Sequence, residues 1–291
     1  MDINKSIKVL LDAINAFKSA NTSESVLMAK FPAKIDNIEI VKQDVDKDIV
    51  RLGFYVKHPG DTEEKPIDKK GKPVEFLRKL LCKLYAIREY YQEMQDFFIP
   101  IIYAEVMGNE NITYEEVEKD CMLIYERFLY PYLKDKFALS IQYEEILKKI
   151  PGYSPNQATA EIQDLNGILV ELKHTALWFG RVFNYYDLVY VYKYLLESEL
   201  HTPYIFFLAA IDTIREREKM DMRELQSKSM TLGEKKMKAL IEKSKKLDKS
   251  YKSEFSKKQS TKYIYVALAT AGVLSAVVAG FLLSVEKSNR K

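Results

Sequence analysis

The chain has few residues of the types that build disulfide frameworks. Its 291 residues include only two cysteines, Cys82 and Cys121, which lie far apart and outside any CxxC spacing. This spacing excludes a knot of disulfides and a zinc knuckle built from cysteine pairs, and it favours a reducing compartment.

Histidine is equally scarce, with three residues in the sequence. His58 lies beside Pro59 in a predicted loop and His201 lies just before Thr202, and neither has a cysteine nearby in the sequence. Glu171 and His174 form one ExxH pair, but di-iron bundles use this pair twice and the second copy is missing. We therefore expect no metal-binding residue.

The sequence also lacks the short motifs that cradle phosphates, bind dinucleotides, expose a nucleophilic serine or hold zinc on a helix. The net charge of +3 is too small to indicate a nucleic-acid partner. We expect no catalytic residue and no cofactor, and we expect that the protein is not an enzyme.

The sequence does contain one long apolar run. Residues 263–285 read YIYVALATAGVLSAVVAGFLLSV and contain no charged residue. As a helix, 23 residues extend about 34 Å, enough to cross a hydrocarbon core of about 30 Å. The run predicts a transmembrane helix at 263–285, followed by a short basic tail at 286–291, so the chain is expected to insert by its tail.

Charges beside this run predict its orientation and compartment. The twenty residues before it contain eight lysines against Asp248 and Glu254. The positive-inside rule therefore places the N-terminal domain on the cytosolic or matrix side. An alanine-rich span with a short basic tail is typical of mitochondrial tail anchors. The sequence does not distinguish the inner mitochondrial membrane from the outer one.

Small residues form one face of the predicted span. Gly272, Ala276 and Gly280 are four positions apart, which would let the backbone of a neighbouring helix approach closely. We expect this face to pack against another helix in the membrane, although alanine and glycine are also common in spans without such a partner.

The N-terminal part, residues 1–57, is predicted to contain a helix and a β-hairpin. Apolar residues recur at helical spacing from Ile3 to Ala20. The two runs IDNIEIVKQ and DIVRLGFYV, after Pro32, favour two strands separated by a polar stretch. Residues 58–73 are rich in proline, glycine and charge, and are predicted to form an exposed loop.

Residues 74–220 are predicted to form a helical bundle. One long helix is expected from Val74, with a kink at Pro100 and its end at Gly108. Capping residues predict further helix starts at Thr113 with Glu116, at Ser140, at Ser154 with Pro155 and at Thr202 with Pro203. Pro131 is expected to end a helix. Short connections favour antiparallel packing.

Residues 221–262 are predicted to form a basic juxtamembrane stalk helix. Thr231 and Glu234 match a capping box, and no proline or glycine follows Gly233 until Gly272. The helix would then run unbroken into the membrane, with the bundle standing clear of the bilayer. Four apolar residues form a narrow stripe on it, here called the seam: Met237, Leu240, Leu247 and Tyr251. Lys257, Lys258 and Lys262 are candidate contacts for anionic lipid headgroups.

The predicted fold class is therefore mainly α: a helical bundle with a small N-terminal β-hairpin, a long basic juxtamembrane helix and a C-terminal transmembrane helix. Twenty tyrosines and fourteen phenylalanines indicate subunit contacts.

These features together predict a structural or accessory subunit of a membrane complex, with other subunits and the lipid bilayer as partners. An outer-membrane adaptor or receptor that captures a soluble client is the alternative. Fixed stoichiometry after detergent extraction distinguishes a subunit from a receptor.

Overall fold

The computed structural model describes residues 2–21, 25–58, 60–134, 145, 149, 178–180, 182–218 and 231–256. The described part is mainly helical with a small antiparallel two-stranded hairpin, as the sequence predicted. The helices are α1 (Ile3–Ala20), α2 (Ile38–Val50), α3 (Lys72–Ala86), α4 (Gln95–Gly108), α5 (Tyr114–Ile124), α6 (Tyr130–Lys134), α7 (Tyr185–Leu196), α8 (Thr202–Glu218) and α9 (residues 234–256). The strands are β1 (Tyr55–Val56) and β2 (Lys65–Pro66).

Helix α1 forms where the apolar spacing placed it. The Asp2 side chain accepts a hydrogen bond from the Asn4 amide at 3.1 Å and caps the helix. Its buried face follows the three- and four-residue steps of the sequence and packs against α4 and α7. The N-terminal helix is thus part of the bundle and shares its core.

The hairpin lies at a different place from the predicted one. The first predicted strand is α2, because Val41, Val45 and Ile49 recur every four residues and are buried together against α3. Only Tyr55 and Val56, near the end of the second run, form a strand. Their partners Pro66 and Lys65 come from the segment predicted to be an exposed loop.

The long helix predicted from Val74 to Gly108 is two helices. α3 ends at Ala86 and α4 begins at Gln95, and Arg88 and Glu93 between them have φ angles of 60° and 75°. Left-handed backbone at these two residues costs on the order of 1 kcal/mol each. The turn lets α4 fold back against α3, and the burial that this gives outweighs the local cost.

Helix α4 is the centre of the bundle, since every residue from Gln95 to Val106 is buried. Pro100 lies inside it and has no N–H to donate to the Asp96 carbonyl one turn earlier. The Tyr192 hydroxyl, from α7, lies 2.8 Å from the Phe97 carbonyl oxygen and 3.5 Å from that of Asp96. A side chain from another helix therefore satisfies carbonyls at the point where proline interrupts the ladder.

The segment before α7 packs closely on this same part of α4. Trp178 and Phe179 have φ angles of 50° and 62°, and the turn they make places the Trp178 ring 5.1 Å from Phe97 and 4.9 Å from Tyr192. A Cβ added to Gly180 would lie 2.4 Å from the Asp96 carbonyl oxygen. Glycine is required here because the backbones touch.

Many of the aromatic side chains lie in this core. The largest fully buried side chains are aromatic, among them Trp178, Tyr125, Tyr132, Tyr185 and Tyr192. The predicted use of aromatic residues in subunit contacts is therefore not needed to explain these rings. Edge-to-face contacts between them stabilise the packing of α4 against its neighbours.

The capping signals were more accurate than the proline signals. Thr113 and Glu116 form the predicted capping box at the start of α5, and α8 begins at Thr202. The predicted starts at Ser140 and Ser154 lie outside the described residues. Pro131 does not end its helix. A π-helical turn at Tyr125–Leu129 precedes α6, and the rearranged bonding lets the chain continue in helical form through the proline.

Among the described helices, none is long and apolar enough to cross a membrane. The predicted span at 263–285 lies outside the described residues, as do its small-residue face (Gly272, Ala276, Gly280), the basic tail at 286–291 and the lysines Lys257, Lys258 and Lys262.

We expect Gly180→Ala to lower the free energy of unfolding by about 3 kcal/mol, because the new methyl group would overlap the Asp96 carbonyl and force α7 away from α4. Trp178 is the single tryptophan and is buried, so its fluorescence reports urea unfolding. Gly60→Ala is the control: nothing lies within 4 Å of a Cβ there, and the cost should be the strain of its φ of 91°, about 1 kcal/mol. Equal losses in the two variants would contradict the close contact.

Candidate functional site

The predicted stalk helix is docked on the bundle along the described part of its length. The seam residues Met237, Leu240 and Tyr251 are buried, and Leu247 is partly buried against the same core. The stalk prediction is therefore wrong for residues 234–256. The seam did predict a neighbour along this stripe, and that neighbour is the chain's own bundle.

The start of α9 is held by a carboxylate from another helix. The Leu232 amide donates to Asp187 Oδ2 at 2.6 Å, and the Gly233 amide donates to Asp187 Oδ1 at 3.1 Å. Burial raises the pKa of Asp187, whereas these two amides favour its ionised form. The capping box predicted from Thr231 and Glu234 is replaced by this contact. The amides of Lys236 and Met237, in the first turn of α9, donate to the carbonyl of Gly233, so the helix starts from Gly233.

The N-cap residue of α7 links three segments at this point. Asn184 Oδ1 accepts from the Asp187 amide at 3.0 Å, which orients that carboxylate. Asn184 Nδ2 donates at 2.8 Å to both Thr231 Oγ1 and Glu64 Oε1. The hairpin region, α7 and the start of α9 are therefore fixed relative to one another.

Further along α9 a charged cluster provides the next contact. His201 Nε2 lies 2.6 Å from Asp248 Oδ1, and Lys252 Nζ lies 2.9 Å from Asp248 Oδ2 and 3.0 Å from Glu199 Oε1. Burial raises the pKa of Asp248, but the hydrogen bonds from His201 and Lys252 outweigh it and hold that pKa below its usual range. The His201 ring also stacks on Tyr251 at 4.5 Å. The last described turns of α9 are thus tied to the connection between α7 and α8.

A cavity of about 550 Å³ lies beside the hairpin, between the start of α3 and the end of α4. Its walls include the apolar side chains of Val56, Ile67, Pro73 and Val106. Tyr103 also lines it, and burial raises the pKa of Tyr103 to about 12. This shape could enclose a small apolar group.

Charged groups of both signs surround the mouth of the cavity. Lys72 Nζ donates to the carbonyls of Glu110 and Ile112 at 3.0 and 3.2 Å, and Lys65 pairs with Asp61. No serine, threonine or cysteine is among the described residues that line the cavity. The described lining therefore offers a binding surface without a serine, threonine or cysteine nucleophile, and Tyr103 contributes a phenol hydroxyl to it.

Two buried carboxyl groups lie elsewhere in the bundle, between α4 and α5. Burial raises the pKa of Glu105 well above its usual range, and its hydrogen bond with Asp120 adds to the shift. Lys18 from α1 is ion-paired with Asp120. Glu105 therefore keeps its proton at neutral pH, while Asp120 accepts hydrogen bonds from both partners. The sequence contained no signal for this pair because its members are far apart along the chain.

The ExxH pair of Glu171 and His174 lies outside the described residues. Within the ranges that the structure describes, no three His, Cys, Asp or Glu side chains are grouped to hold a metal ion.

We expect Asp187→Ala to lower the free energy of unfolding by about 1 to 3 kcal/mol, because the amides of Leu232 and Gly233 lose their acceptor in a buried setting. Hydrogen exchange at the first turn of α9 should accelerate more than exchange in α5. Asp12→Ala, at an exposed position of α1, is the matched control and should change neither quantity. Unchanged exchange in Asp187→Ala would show that α9 does not depend on this carboxylate.

The Glu105 carboxyl predicts a loss of stability as pH rises. Its pKa is raised in the folded chain, so the folded state binds one proton more than the unfolded state above the unfolded pKa of about 4.3. Stability is full below that pH and falls by about 1.4 kcal/mol per pH unit above it, until the folded pKa is reached. Glu105→Gln keeps a donor to Asp120 and should remove this slope in urea unfolding between about pH 5 and 8. A slope equal to that of the unmodified chain would contradict the protonated state.

No protein-family model matches this chain, and the comparison with curated proteins finds no match either. The function proposed next is inferred from the residues and contacts alone.

Proposed function

We propose that the chain is a tail-anchored, non-catalytic accessory subunit of a multi-subunit membrane complex, with residues 263–285 as its anchor and a mitochondrial membrane as its location. The observation that supports this most directly is the docking of α9. This helix is the last described element before the uncharged run, and contacts at its start and in its last described turns fix it to the bundle.

The docked helix changes the proposed geometry of the protein at the membrane. Six residues separate Ser256, the last described residue of α9, from Tyr263. Whatever their conformation, the chain between Ser256 and Tyr263 extends at most about 25 Å. The bundle would therefore be held near the bilayer, in place of the long stalk predicted from sequence.

This geometry suits a subunit that contacts its partners both in the membrane and beside it. The bundle cannot move far from the span, so a partner helix packed on Gly272, Ala276 and Gly280 would lie close to a partner domain packed on the bundle. Contacts at two linked sites reinforce one another through effective concentration. Stable association is the expected consequence.

Purification of the tagged full chain in mild detergent tests this proposal. We expect partners in fixed stoichiometry that remain bound on dilution. Gly272→Leu and Gly280→Leu should each reduce their recovery, because leucine adds bulk where a neighbouring backbone would approach while still favouring lipid. Val278→Leu adds bulk on the opposite line of the span and is the matched control.

Three results would separate the parts of the proposal. Release of most partners on dilution would favour a receptor for a soluble client. Equal recovery from all three leucine variants would remove the small-residue face from the interface. A chain ending at Lys262 that still resists carbonate extraction would contradict residues 263–285 as the anchor.

A further inference from the structure

The exposed side of α9 carries a concentration of positive charge. Residues 234–256 contain eight lysines and four acidic residues, a net charge of +4, whereas the whole chain carries +3. The remainder of the protein is therefore close to neutral and slightly acidic. Its basic character is confined to this helix and the lysines that follow it in sequence.

Ion pairs within the protein occupy only some of these lysines. Lys238 pairs with Glu234, Lys245 pairs with Glu242, and Lys252 pairs with Asp248. Within the described part of the chain, no carboxylate lies within ion-pair distance of Lys235, Lys246 or Lys249.

Those three lysines share one line of the helix. At 100° per residue, Lys246 and Lys249 lie within about 40° of Lys235 around the axis. They point away from Met237 and Ser244, which are buried against the bundle. We call the line formed by Lys235, Lys246 and Lys249 the lysine face. All three are exposed, and the docking of the opposite side fixes the direction in which they project.

We propose that the lysine face binds the anionic surface of a lipid bilayer, with α9 lying along the membrane. This inference rests on the proposed anchoring by residues 263–285. Its partner chemistry is a dense two-dimensional array of negative headgroups, which attracts each nearby lysine. Glu242 lies on the same line but is paired with Lys245, so the three unpaired lysines leave the face positively charged.

The length of the face decides the orientation of the helix. Lys235 and Lys249 are 14 residues apart, about 21 Å along α9. The Debye length at physiological ionic strength is about 8 Å, so a helix perpendicular to the bilayer would leave Lys235 screened from the headgroups. Only a surface parallel to the helix axis meets all three lysines.

The test measures how close each end of the lysine face comes to the headgroups. Both native cysteines are buried, so a single added cysteine can be spin-labelled selectively. Ala239 and Ser253 are exposed positions beside the face, one near each end of α9. Full-length chains carrying either label are reconstituted in phosphatidylserine-rich vesicles that contain a paramagnetic headgroup lipid.

We expect strong relaxation enhancement at both labels in these vesicles, and loss of the Ala239 enhancement in phosphatidylcholine vesicles or at high salt. Replacing Lys235, Lys246 and Lys249 by glutamine should lower the ratio of chains whose α9 lies against the bilayer to chains whose α9 does not by about fivefold per lysine. The matched control replaces the exposed lysines Lys30, Lys70 and Lys119, which lowers the net charge equally and should leave the enhancement unchanged.

Enhancement at Ser253 alone would overturn the proposal, since it would mean a helix perpendicular to the bilayer. Equal effects of the two triple variants would also overturn it. Protection of the lysine face by a co-purified acidic protein, with no dependence on phosphatidylserine, would assign the face to that partner. Carbonate extraction of the same samples tests the anchor separately: a chain that is extracted refutes the anchoring, whereas a retained chain without enhancement at Ala239 refutes only the lipid contact.

Discussion

The burial of α4 from Gln95 to Val106 is the constraint on which the rest of this fold depends. A helix with no solvent-facing side needs neighbours around it, and α1, α3, α5 and α7 all pack on it. Its irregular points are compensated by those neighbours. The carbonyls at the Pro100 interruption contact the Tyr192 hydroxyl, and the Asp96 carbonyl leaves no room for a side chain at Gly180. Because protein interiors are closely packed, these contacts fix the positions of α7 and the turn before it.

The position of α7 in turn determines that of α9. Asn184 and Asp187, in the first turn of α7, bond the residues that precede α9, and the cluster of His201 and Asp248 holds the other end. A single chain of contacts therefore connects the centre of the bundle to the last described helix. The proposed functions use this rigidity: the anchor would hold the bundle near the membrane, and the lysine face would project in one fixed direction.

Short-range sequence patterns predicted the helix starts well but did not predict how the helices pack on one another. The capping box of Thr113 and Glu116 depends on residues three apart, so its energetics are contained in the local sequence. The strand prediction for residues 35–43 failed because the β-branched content of a short run was preferred to the four-residue spacing of Val41, Val45 and Ile49. The single long helix failed because its break at residues 87–94 has no proline or glycine, and left-handed backbone at Arg88 and Glu93 is stable only when α4 is buried. The buried pair of Glu105 and Asp120 had no local signature.

The sequence by itself determined the mainly helical class, the first helix, two of the capped helix starts and the apolar stripe on α9, because each depends on spacing or hydrogen bonding within a few residues. Tertiary structure alone decided what that stripe contacts. The seam of Met237, Leu240, Leu247 and Tyr251 indicates that a partner covers it, but an apolar face has no preference between a separate subunit and the same chain. The carboxylate of Asp187, 45 residues before Leu232, decides between these two partners. It holds the start of α9 at a position where the chain's own bundle covers the seam.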